Sequence, residues 1–407
     1  MKTTILKILA SIFLVAAISA CDGDKDNDPN PENPDNPENP NSNGGNGDNG
    51  TGTTADPFIV ANKADLKRVA SDETGPGGKW TEKSHYKQVA DIDLSGEDWQ
   101  PAWRVFEGSY DGGGYTISNL TTTGNCALLS TVSGTMKNVR LSNLKITNES
   151  SSGNIMWAGG LVASLAGGTL EHCSIDNLEI TCTYTGFTMY SVGGLVGTNV
   201  GTISSCMVTN GTVSCNGKSY VGGLVGSNVE GTINNCYTTV NVSGIDTEWG
   251  VGGVAGRNRA TIENCYATGN VSLDGEAAAG GIVGGNTLGT TNNCVALNKT
   301  VSTTQTGSSK IGRIAGEDIF IFNTNLSDNY ARNNMTLTGT PKKPISDATT
   351  TSIHGENVTA ANYNGANSET WWKDTAGFPE ESWDFAPNRL PHLKGFDKLT
   401  QNPTETP

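Results

Sequence analysis

Cysteine and histidine are the side chains of this chain that could bind a metal ion or act as nucleophile and base. There are nine cysteines and four histidines among 407 residues. Five of the cysteines recur at one position of an internal repeat: Cys173, Cys206, Cys236, Cys265 and Cys294. A metal ion needs ligands that converge on one point, whereas positions repeated along a rod form a line. We therefore predict a buried ladder of reduced thiols that act as small apolar side chains, and no bound metal.

Two further cysteines, Cys182 and Cys215, share another register on neighbouring repeats. Their spacing allows a disulfide bond in an oxidising compartment, and it equally allows a stacked pair of free thiols. The sequence leaves both alternatives open.

The four histidines are scattered, at positions 85, 172, 354 and 392. The chain has no His-Glu-x-x-His, no Gly-x-Ser-x-Gly, no phosphate-binding loop and no Cys/His spacing typical of zinc. His172 stands where other repeats place an asparagine, so we interpret it as a turn residue and not as a catalytic base. These patterns predict no catalytic residue and no cofactor.

The repeat is defined by a glycine-rich hexapeptide, Val221 to Gly226, with further copies that begin at residues 158, 192, 251, 279 and 311. Successive copies lie 28 to 34 residues apart, which is a period typical of solenoids. Each repeat holds three short runs, for example the hexapeptide, Thr232–Cys236 and Val240–Ser243. Such runs cannot bury a core alone, but stacked on their neighbours about 4.8 Å apart they form parallel sheets around one core. We predict an all-β parallel β-helix with three sheets and coils of roughly 30 residues.

An asparagine precedes the cysteine register in most repeats, as expected for a turn residue that tolerates left-handed backbone angles. The predicted ladder comprises Asn119, Asn138, Asn235, Asn264 and Asn293, with His172 and Ser205 filling two coils.

Both ends of the solenoid require covering, since an open end exposes strand edges. Residues 56–125 are predicted to form an α/β N-terminal cap and first coil, with a short helix capped by Asn62. Residues 126–330 hold the repeats, and residues 331–407 are predicted to form a C-terminal cap and tail. Aromatic side chains are concentrated in that last segment: Trp371, Trp372, Phe378 and Trp383.

The motifs of residues 56–330 resemble those of GLUG-motif proteins. The similarity lies in Asp91-Ile-Asp-Leu94, in Trp99-Gln-Pro101, in the run from Phe106 to Leu120 and in the Gly-Gly-Leu-Val-Gly copies. The family includes bacterial surface proteins, some adhesins and the non-catalytic regions of immunoglobulin A peptidases. The resemblance implies a parallel β-helix, and it does not carry over the peptidase activity because His-Glu-x-x-His is missing.

The first residues look like an export signal. Residues 1–20 have a basic start and an apolar run too short for a stable membrane span. Ile18-Ser-Ala-Cys21 resembles the lipobox of bacterial lipoproteins, which implies that Cys21 is lipidated and anchors the protein to a membrane. The acidic run Asp22–Asp26 is similar to the surface-export signal of Bacteroidetes lipoproteins. We therefore expect an outer-membrane, surface-exposed lipoprotein in which residues 21–55 form a disordered Pro/Asn/Gly linker.

Aromatic residues precede the glycine pair by two or three positions in four consecutive repeats: Trp157, Tyr190, Tyr220 and Trp249. In a coil they would form a row along one edge. If the row is exposed, it predicts contact with a glycan or a surface protein through stacking. If it packs inward, it is structural. We name the four as candidate ligand-binding residues and keep both interpretations.

The net charge of −15 argues against nucleic acid or an anionic membrane surface as a partner. Enzymes built on β-helices, such as pectate lyases, line one sheet with acids and a basic residue, but the coil acids here share no register. The sequence thus predicts a non-enzymatic adhesion or binding protein whose partner is a glycan or a host or bacterial surface protein. A β-helix polysaccharide lyase or hydrolase and a passive structural spacer remain the alternatives.

Overall fold

The computed structural model describes residues 49–124, 127–150, 157–185, 190–247, 249–305, 308–318, 325–341 and 344–396. Cys21, the signal segment and most of the predicted linker lie outside these residues. The chain divides into two units, residues 1–49 and residues 50–407, and the description that follows concerns the second. Among the described residues, no helix has the length and apolar character needed to cross a membrane.

The second unit is a parallel β-solenoid with four sheets. Sheet 1 consists of Trp157–Gly159, Tyr190–Gly193, Ser219–Gly222, Gly250–Gly252, Ala278–Gly280 and Ile311–Gly312. Sheet 2 consists of Val105–Phe106, Leu129–Val132, Val162–Leu165, Val196–Asn199, Val225–Asn228, Ala255–Asn258, Val283–Asn286 and Ala315–Asp318. Sheet 3 consists of Phe58–Val60, His85–Gln88, Ser109–Asp111, Thr135–Lys137, Thr169–Glu171, Thr202–Ser204, Thr232–Asn234, Thr261–Glu263, Thr290–Asn292 and Asn325–Ser327. Sheet 4 consists of Ile92–Asp93, Thr116–Ser118, Thr121–Thr123, Arg140–Ser150, Ser174–Tyr184, Met207–Asn216, Tyr237–Thr238, Asn241–Ile245, Tyr266–Ala267, Val271–Asp274, Val295–Ala296, Thr300–Thr303, Tyr330–Arg332, Thr336–Thr338 and Glu356–Val358.

The remaining elements are short. Three two-stranded pairs join Glu73–Gly75 to Gly78–Trp80, Ser308–Ser309 to Thr340–Pro341, and Trp383–Asp384 to His392–Leu393. The α-helices are Lys63–Arg68, Ala360–Tyr363 and Ser368–Thr370, with a 3₁₀ turn at Ile345–Asp347 and a π-helical turn at Trp371–Thr375.

The parallel β-helix prediction is confirmed, but the predicted number of sheets was wrong, because the glycine run is a corner and not a strand. In one coil, Gly193 ends a strand of sheet 1 and Val196 begins a strand of sheet 2. A Cβ atom on Gly193 would lie 2.1 Å from the Val196 carbonyl oxygen, and one on Gly194 would lie 2.1 Å from the Gly223 carbonyl oxygen of the next coil. The glycines therefore make room for backbone from the same coil and from the next, and the chain turns between two sheets.

The cysteine ladder is confirmed. All five of its thiols are fully buried and none forms a disulfide bond. The backbone N–H of Cys173 donates to Cys206 Sγ over 3.4 Å, and Cys206 N–H donates to Cys236 Sγ over the same distance. Burial raises the pKa of the Cys236, Cys265 and Cys294 thiols well above the ordinary value, so they act as apolar spacers between sheets 3 and 4.

The turn ladder has left-handed backbone angles, as predicted, but Asn119 was assigned to the wrong ladder. Residues 138, 172, 205, 235, 264 and 293 have φ between 50° and 55°. Asn119 belongs to a second ladder within sheet 4, where it lies between the strands Thr116–Ser118 and Thr121–Thr123. In this ladder Asn143 Nδ2 donates to Asn119 Oδ1 over 3.1 Å, and Asn177 Nδ2 donates to Asn143 Oδ1 over 2.8 Å.

A third asparagine ladder, which we did not predict, lies inside the solenoid at the end of sheet 2. Its members are fully buried: Asn199, Asn228, Asn258 and Asn286. Each of the first three donates from Nδ2 to the Oδ1 of the next over 2.9 to 3.1 Å. The repeated Asn two residues after the third glycine was the available sequence signal, and its role is to satisfy buried polar groups at the corner between sheets 2 and 3.

The N-terminal cap has the predicted helix and closes the first coil with aromatic side chains. Asn62 Oδ1 accepts from Asp65 N–H over 3.1 Å, and the Asp65 carboxylate accepts from Ala61 N–H. Phe58 stacks on Trp80 with ring centroids 4.9 Å apart, and both are buried. These rings cover the end of the core.

At the other end, an arginine replaces the second glycine of the repeat. Arg313 is 1% exposed, and its guanidinium donates to the carbonyl oxygens of His354 and Gly355, each over 2.9 Å, and to Asn357 Oδ1 over 2.7 Å. Burial lowers its pKa to about 10. In the other coils a Cβ at this position would meet the backbone of the next coil, whereas Arg313 is in the last copy of the repeat and has no such coil above it in the described part of the chain. Its side chain instead bonds to residues 354–357, which close the solenoid.

The aromatic C-terminal residues are concentrated where the sequence placed them, but they do not lie over the end of the coil as predicted. Residues 359–396, which we call the lateral segment, pack along the outer face of sheet 4. Trp371 contacts Tyr330 with ring centroids 5.4 Å apart, whereas Phe396 lies 6.1 Å from His172, several coils back toward the N-terminus. The lateral segment therefore runs back over many coils.

Candidate binding surface

The four predicted aromatic residues do not form one row. Trp157 and Tyr220 both lie beside Ser191 in sheet 1, whereas Tyr190 lies beside Ser219. Tyr220 in turn pairs with Gly250 of the next coil. Trp249 precedes Gly250 by one residue, so it falls in the register of Tyr190 and Ser219. Since successive residues of a strand point to opposite faces, the spacings of two and three residues before the glycine pair separate the aromatics into two registers.

Tyr190 points into the solenoid. It is 1% exposed and stacks on the buried Tyr184 with ring centroids 5.3 Å apart. Trp157 is half-buried and packs against the core. The idea of an exposed edge therefore does not hold for Tyr190, which contributes to the packing of the coil.

Tyr220 and Trp249 contact each other, and Trp249 is the most exposed residue of the group. Their ring centroids are 5.8 Å apart, tilted by 48°, and Trp249 is 39% exposed. Tyr220 itself is 7% exposed, and Trp249 and Arg257 both pack against it. The Arg257 guanidinium carbon is 5.2 Å from the centre of the Tyr220 ring, within cation–π range.

Arg257 and its neighbour Arg259 were missed by the sequence analysis. Burial lowers the pKa of Arg257, the nearby Tyr220 acts against this, and the positive charge of Arg259 lowers it further. Arg257 of this Arg-x-Arg pair interrupts a register that the preceding coils fill with Thr or Ser. This break in the repeat was the signal that could have identified the pair.

Tyr237 and Tyr266, which follow the ladder cysteines, face outward from sheet 4, yet both are fully buried. Their rings stack 4.8 Å apart and nearly parallel. Trp372 and Trp383 cover them, and the Tyr266 hydroxyl donates to the Pro391 carbonyl oxygen over 2.9 Å. The lateral segment thus removes these two tyrosines and its own tryptophans Trp371 and Trp372 from the surface.

The polar residues of the described chain bond mainly to structural partners. His85 Nδ1 lies 2.7 Å from Ser109 Oγ, and His172 occupies the turn ladder beside Gly395. Within the described residues, no group of three or more His, Cys, Asp or Glu side chains is arranged to hold a metal ion.

Cys182 and Cys215 lie directly opposite each other on neighbouring strands, and both are buried. Burial raises the pKa of the Cys215 thiol to about 11.

Comparison with known proteins supports the fold. The GLUG motif matches residues 247–272, the stretch that includes Trp249, Arg257 and Arg259. A crystal structure from Bacteroides ovatus, provisionally named an immunoglobulin A1 protease, is 21% identical and covers 85% of this chain and 94% of its own, with a TM-score of 0.51. A structure named IgA1 Protease is 16% identical, with a TM-score of 0.43; the match covers 67% of this chain and 21% of that one. No curated protein matches the chain.

Proposed function

We propose that this GLUG-motif solenoid is a cell-surface-anchored, non-enzymatic adhesion or binding lipoprotein that contacts a glycan. Trp249 carries the proposal, because it presents an aromatic ring to solvent at 39% exposure while Tyr220 and Arg257 support it. A large aromatic ring held in place by neighbours loses little side-chain entropy when a ligand stacks on it.

The candidate set is narrower than the sequence suggested. We propose Trp249 and Tyr220 as ligand contacts, while Tyr190 and Trp157 support the coil from which the surface projects. Replacing Tyr190 would therefore perturb folding and cannot serve as a test of binding.

The test is a glycan array followed by polysaccharide pull-down with the full chain, its Trp249→Ala variant and a Trp103→Ala control. Trp103 is also an exposed tryptophan, at 55%, but it lies in the N-terminal cap. We expect Trp249→Ala to weaken binding at least tenfold, as for an aromatic hot spot, with Trp103→Ala unchanged. Equal binding by all three proteins, or no binding to any glycan, would instead favour a passive spacer.

The anchor at Cys21 is part of the proposal and rests on the lipobox-like sequence. We expect wild-type protein expressed in a Bacteroidetes host to incorporate labelled palmitate and to be cleaved by protease added to intact cells. The Cys21→Ser variant should incorporate no label and leave the membrane fraction. Labelling that persists in Cys21→Ser would contradict the anchor.

The structural neighbours named as proteases do not carry an activity to this chain, because at 21% identity the likeness concerns the fold. The lyase or hydrolase alternative has a direct test of its own. Incubation of the full chain with polyuronides should produce neither the ultraviolet absorbance of an unsaturated uronate, which a lyase would form, nor new reducing ends, which a hydrolase would form. Either product would replace the binding proposal by an enzymatic one.

A further inference from the structure

Two arginines lie beside the Tyr220–Trp249 pair. Arg257 lies in the strand Ala255–Asn258, and Arg259 follows two residues later, with the fully buried Asn258 between them. Burial raises the pKa of Tyr220, and the positive charges of Arg257 and Arg259 both act against this rise, so both guanidinium groups lie near the Tyr220 ring. Their mutual repulsion is consistent with the lowered pKa of Arg257.

Neither arginine has an ionic partner within the described part of the chain, whereas Arg68, Arg104 and Arg389 each pair with an Asp carboxylate at 2.7 to 3.3 Å. The Nε atom of Arg259 is buried and donates no hydrogen bond to any described residue. In a chain with a net charge of −15, this leaves two adjacent positive groups that no described acidic residue compensates. A buried donor without an acceptor and a like-charge pair both cost free energy, and an anion bound here would offset both costs.

The chemistry of the surface fits a sugar with an acidic substituent. The Trp249 and Tyr220 rings lie 5.8 Å apart, and the Arg257 guanidinium is 5.2 Å from Tyr220, so the exposed aromatic ring and the cationic group both adjoin Tyr220. The planar fork of arginine matches the two oxygens of a carboxylate.

A protein partner fits less well. The exposed large apolar side chains of the described residues are few, and apart from Ile245 and Trp249, which lie at the two ends of one connection, they come from separate segments: Trp103, Val200, Leu288 and Ile345. A stable protein interface buries about 800 Å² on each side and centres on a packed apolar cluster. A single exposed ring next to two cations is instead the scale of a glycan subsite.

From these observations we infer that the Tyr220–Trp249 surface binds an acidic glycan whose sugar residues carry carboxylates. Trp249 stacks on the sugar ring, and Arg257 and Arg259 hold its carboxylate. The inference rests on the proposed glycan-binding function and assigns the chemical class of its ligand.

The experiment measures binding of the full chain to polygalacturonate, alginate, hyaluronate and polysialate, each beside its methyl-esterified form, with dextran sulfate as a non-carboxylate polyanion. Esterification removes the charge and keeps the sugar rings. We expect at least one acid form to bind at least about tenfold more tightly than its ester, and the affinity to fall as salt is raised.

The protein variants separate the contributions of the arginines and of the ring. Arg257→Gln/Arg259→Gln should lose at least about tenfold in affinity for the acid form and should bind the ester as wild type does. The single Arg259→Gln variant keeps the Arg257–Tyr220 contact and should show part of the loss even if the double variant folds poorly. Lys87→Gln/Arg104→Gln removes the same charge from the N-terminal region and should change nothing.

Three negative outcomes would lead to different conclusions about the acidic-ligand inference and the glycan-binding proposal. Equal affinity for acid and ester, with a loss in Trp249→Ala, would overturn the acidic-ligand inference and leave glycan binding intact. Dextran sulfate bound as tightly, without dependence on Trp249, would show charge attraction alone and also overturn the inference. No binding to any of the polymers or to a neutral glycan array would remove both proposals.

Discussion

Inside the coil, a residue meets its own counterpart from the next repeat, whereas in the lateral segment each contact is made once. Cysteine stacks on cysteine and asparagine on asparagine, so the energy of the interior is a sum of nearest-neighbour terms. The lateral segment contacts strands from Tyr330 back to Arg140, where the Phe396 ring lies 5.7 Å from the guanidinium. It therefore couples coils that have no direct contact with one another.

The largest expected effect comes from the lateral segment. Trp372 is 1% exposed, donates from Nε1 to the Tyr363 carbonyl oxygen over 2.8 Å and contacts the Tyr266 ring. Trp372→Ala should lower the free energy of unfolding by about 3–5 kcal/mol, measured by chemical denaturation. Trp103→Ala, at an exposed site, should change it by less than about 0.5 kcal/mol.

Hydrogen exchange would locate that loss. We expect faster exchange in Trp372→Ala at the strands of Tyr237, Tyr266 and Tyr330 together, and little change at the glycine corners. If exchange increased at one coil alone, the lateral segment would not couple coils, and the contrast with the interior would disappear.

A smaller effect is expected from the glycine corner. Gly223→Ala places a Cβ atom 2.1 Å from the Gly253 carbonyl oxygen of the next coil, which is backbone and cannot move away alone. The free energy of unfolding should fall by about 3 kcal/mol. Gly285→Ala is the matched control, because its Cβ would meet nothing closer than 3.9 Å. Similar melting temperatures for the two variants would contradict the close-approach account of the motif.

The smallest effect concerns the turn ladder. Asn264 has φ of 52°, so Asn264→Ala should cost about 1 kcal/mol. Asn264→Gly loses the same hydrogen bond from Asn293 Nδ2 but adopts this φ without strain. A thermal melt should therefore rank the variants as Asn, Gly and Ala in decreasing stability, and Ala at least as stable as Gly would refute the role given to this position.

Repetition explains which predictions succeeded. The cysteine ladder and the turn residues could be read from the sequence because each recurs at a fixed distance from the glycine pair, and stacking turns that distance into a position in space. The number of sheets could not be predicted from the sequence, because a run of five apolar and glycine residues looks like one strand. The structure shows that this run is a corner, where a Cβ on Gly194 would clash with the backbone of the next coil.

Non-repeating contacts explain the rest. Nothing in the sequence near Trp371 or Trp383 indicates that they pack on Tyr330 and Tyr237 of sheet 4, so a general argument about exposed ends placed them over the end. The aromatic row failed for a related reason. A shift of one residue in spacing reverses the face of a strand, so Trp157 and Tyr220 fall in one register and Tyr190 and Trp249 in the other. Tyr190 lies within a strand and is buried, whereas Trp249 precedes the strand Gly250–Gly252 and is exposed. Arg257 and Arg259 were overlooked because they break the repeat instead of following it.

The most direct test of the binding account is a hydrogen-exchange footprint of the full chain with a bound glycan. We predict that protection appears at the strands Ser219–Gly222 and Ala255–Asn258 and at the residues around Trp249, while the N-terminal cap and the lateral segment keep the exchange rates of the free protein. Protection centred on Trp103 or on the lateral segment, with none around Trp249, would contradict the account.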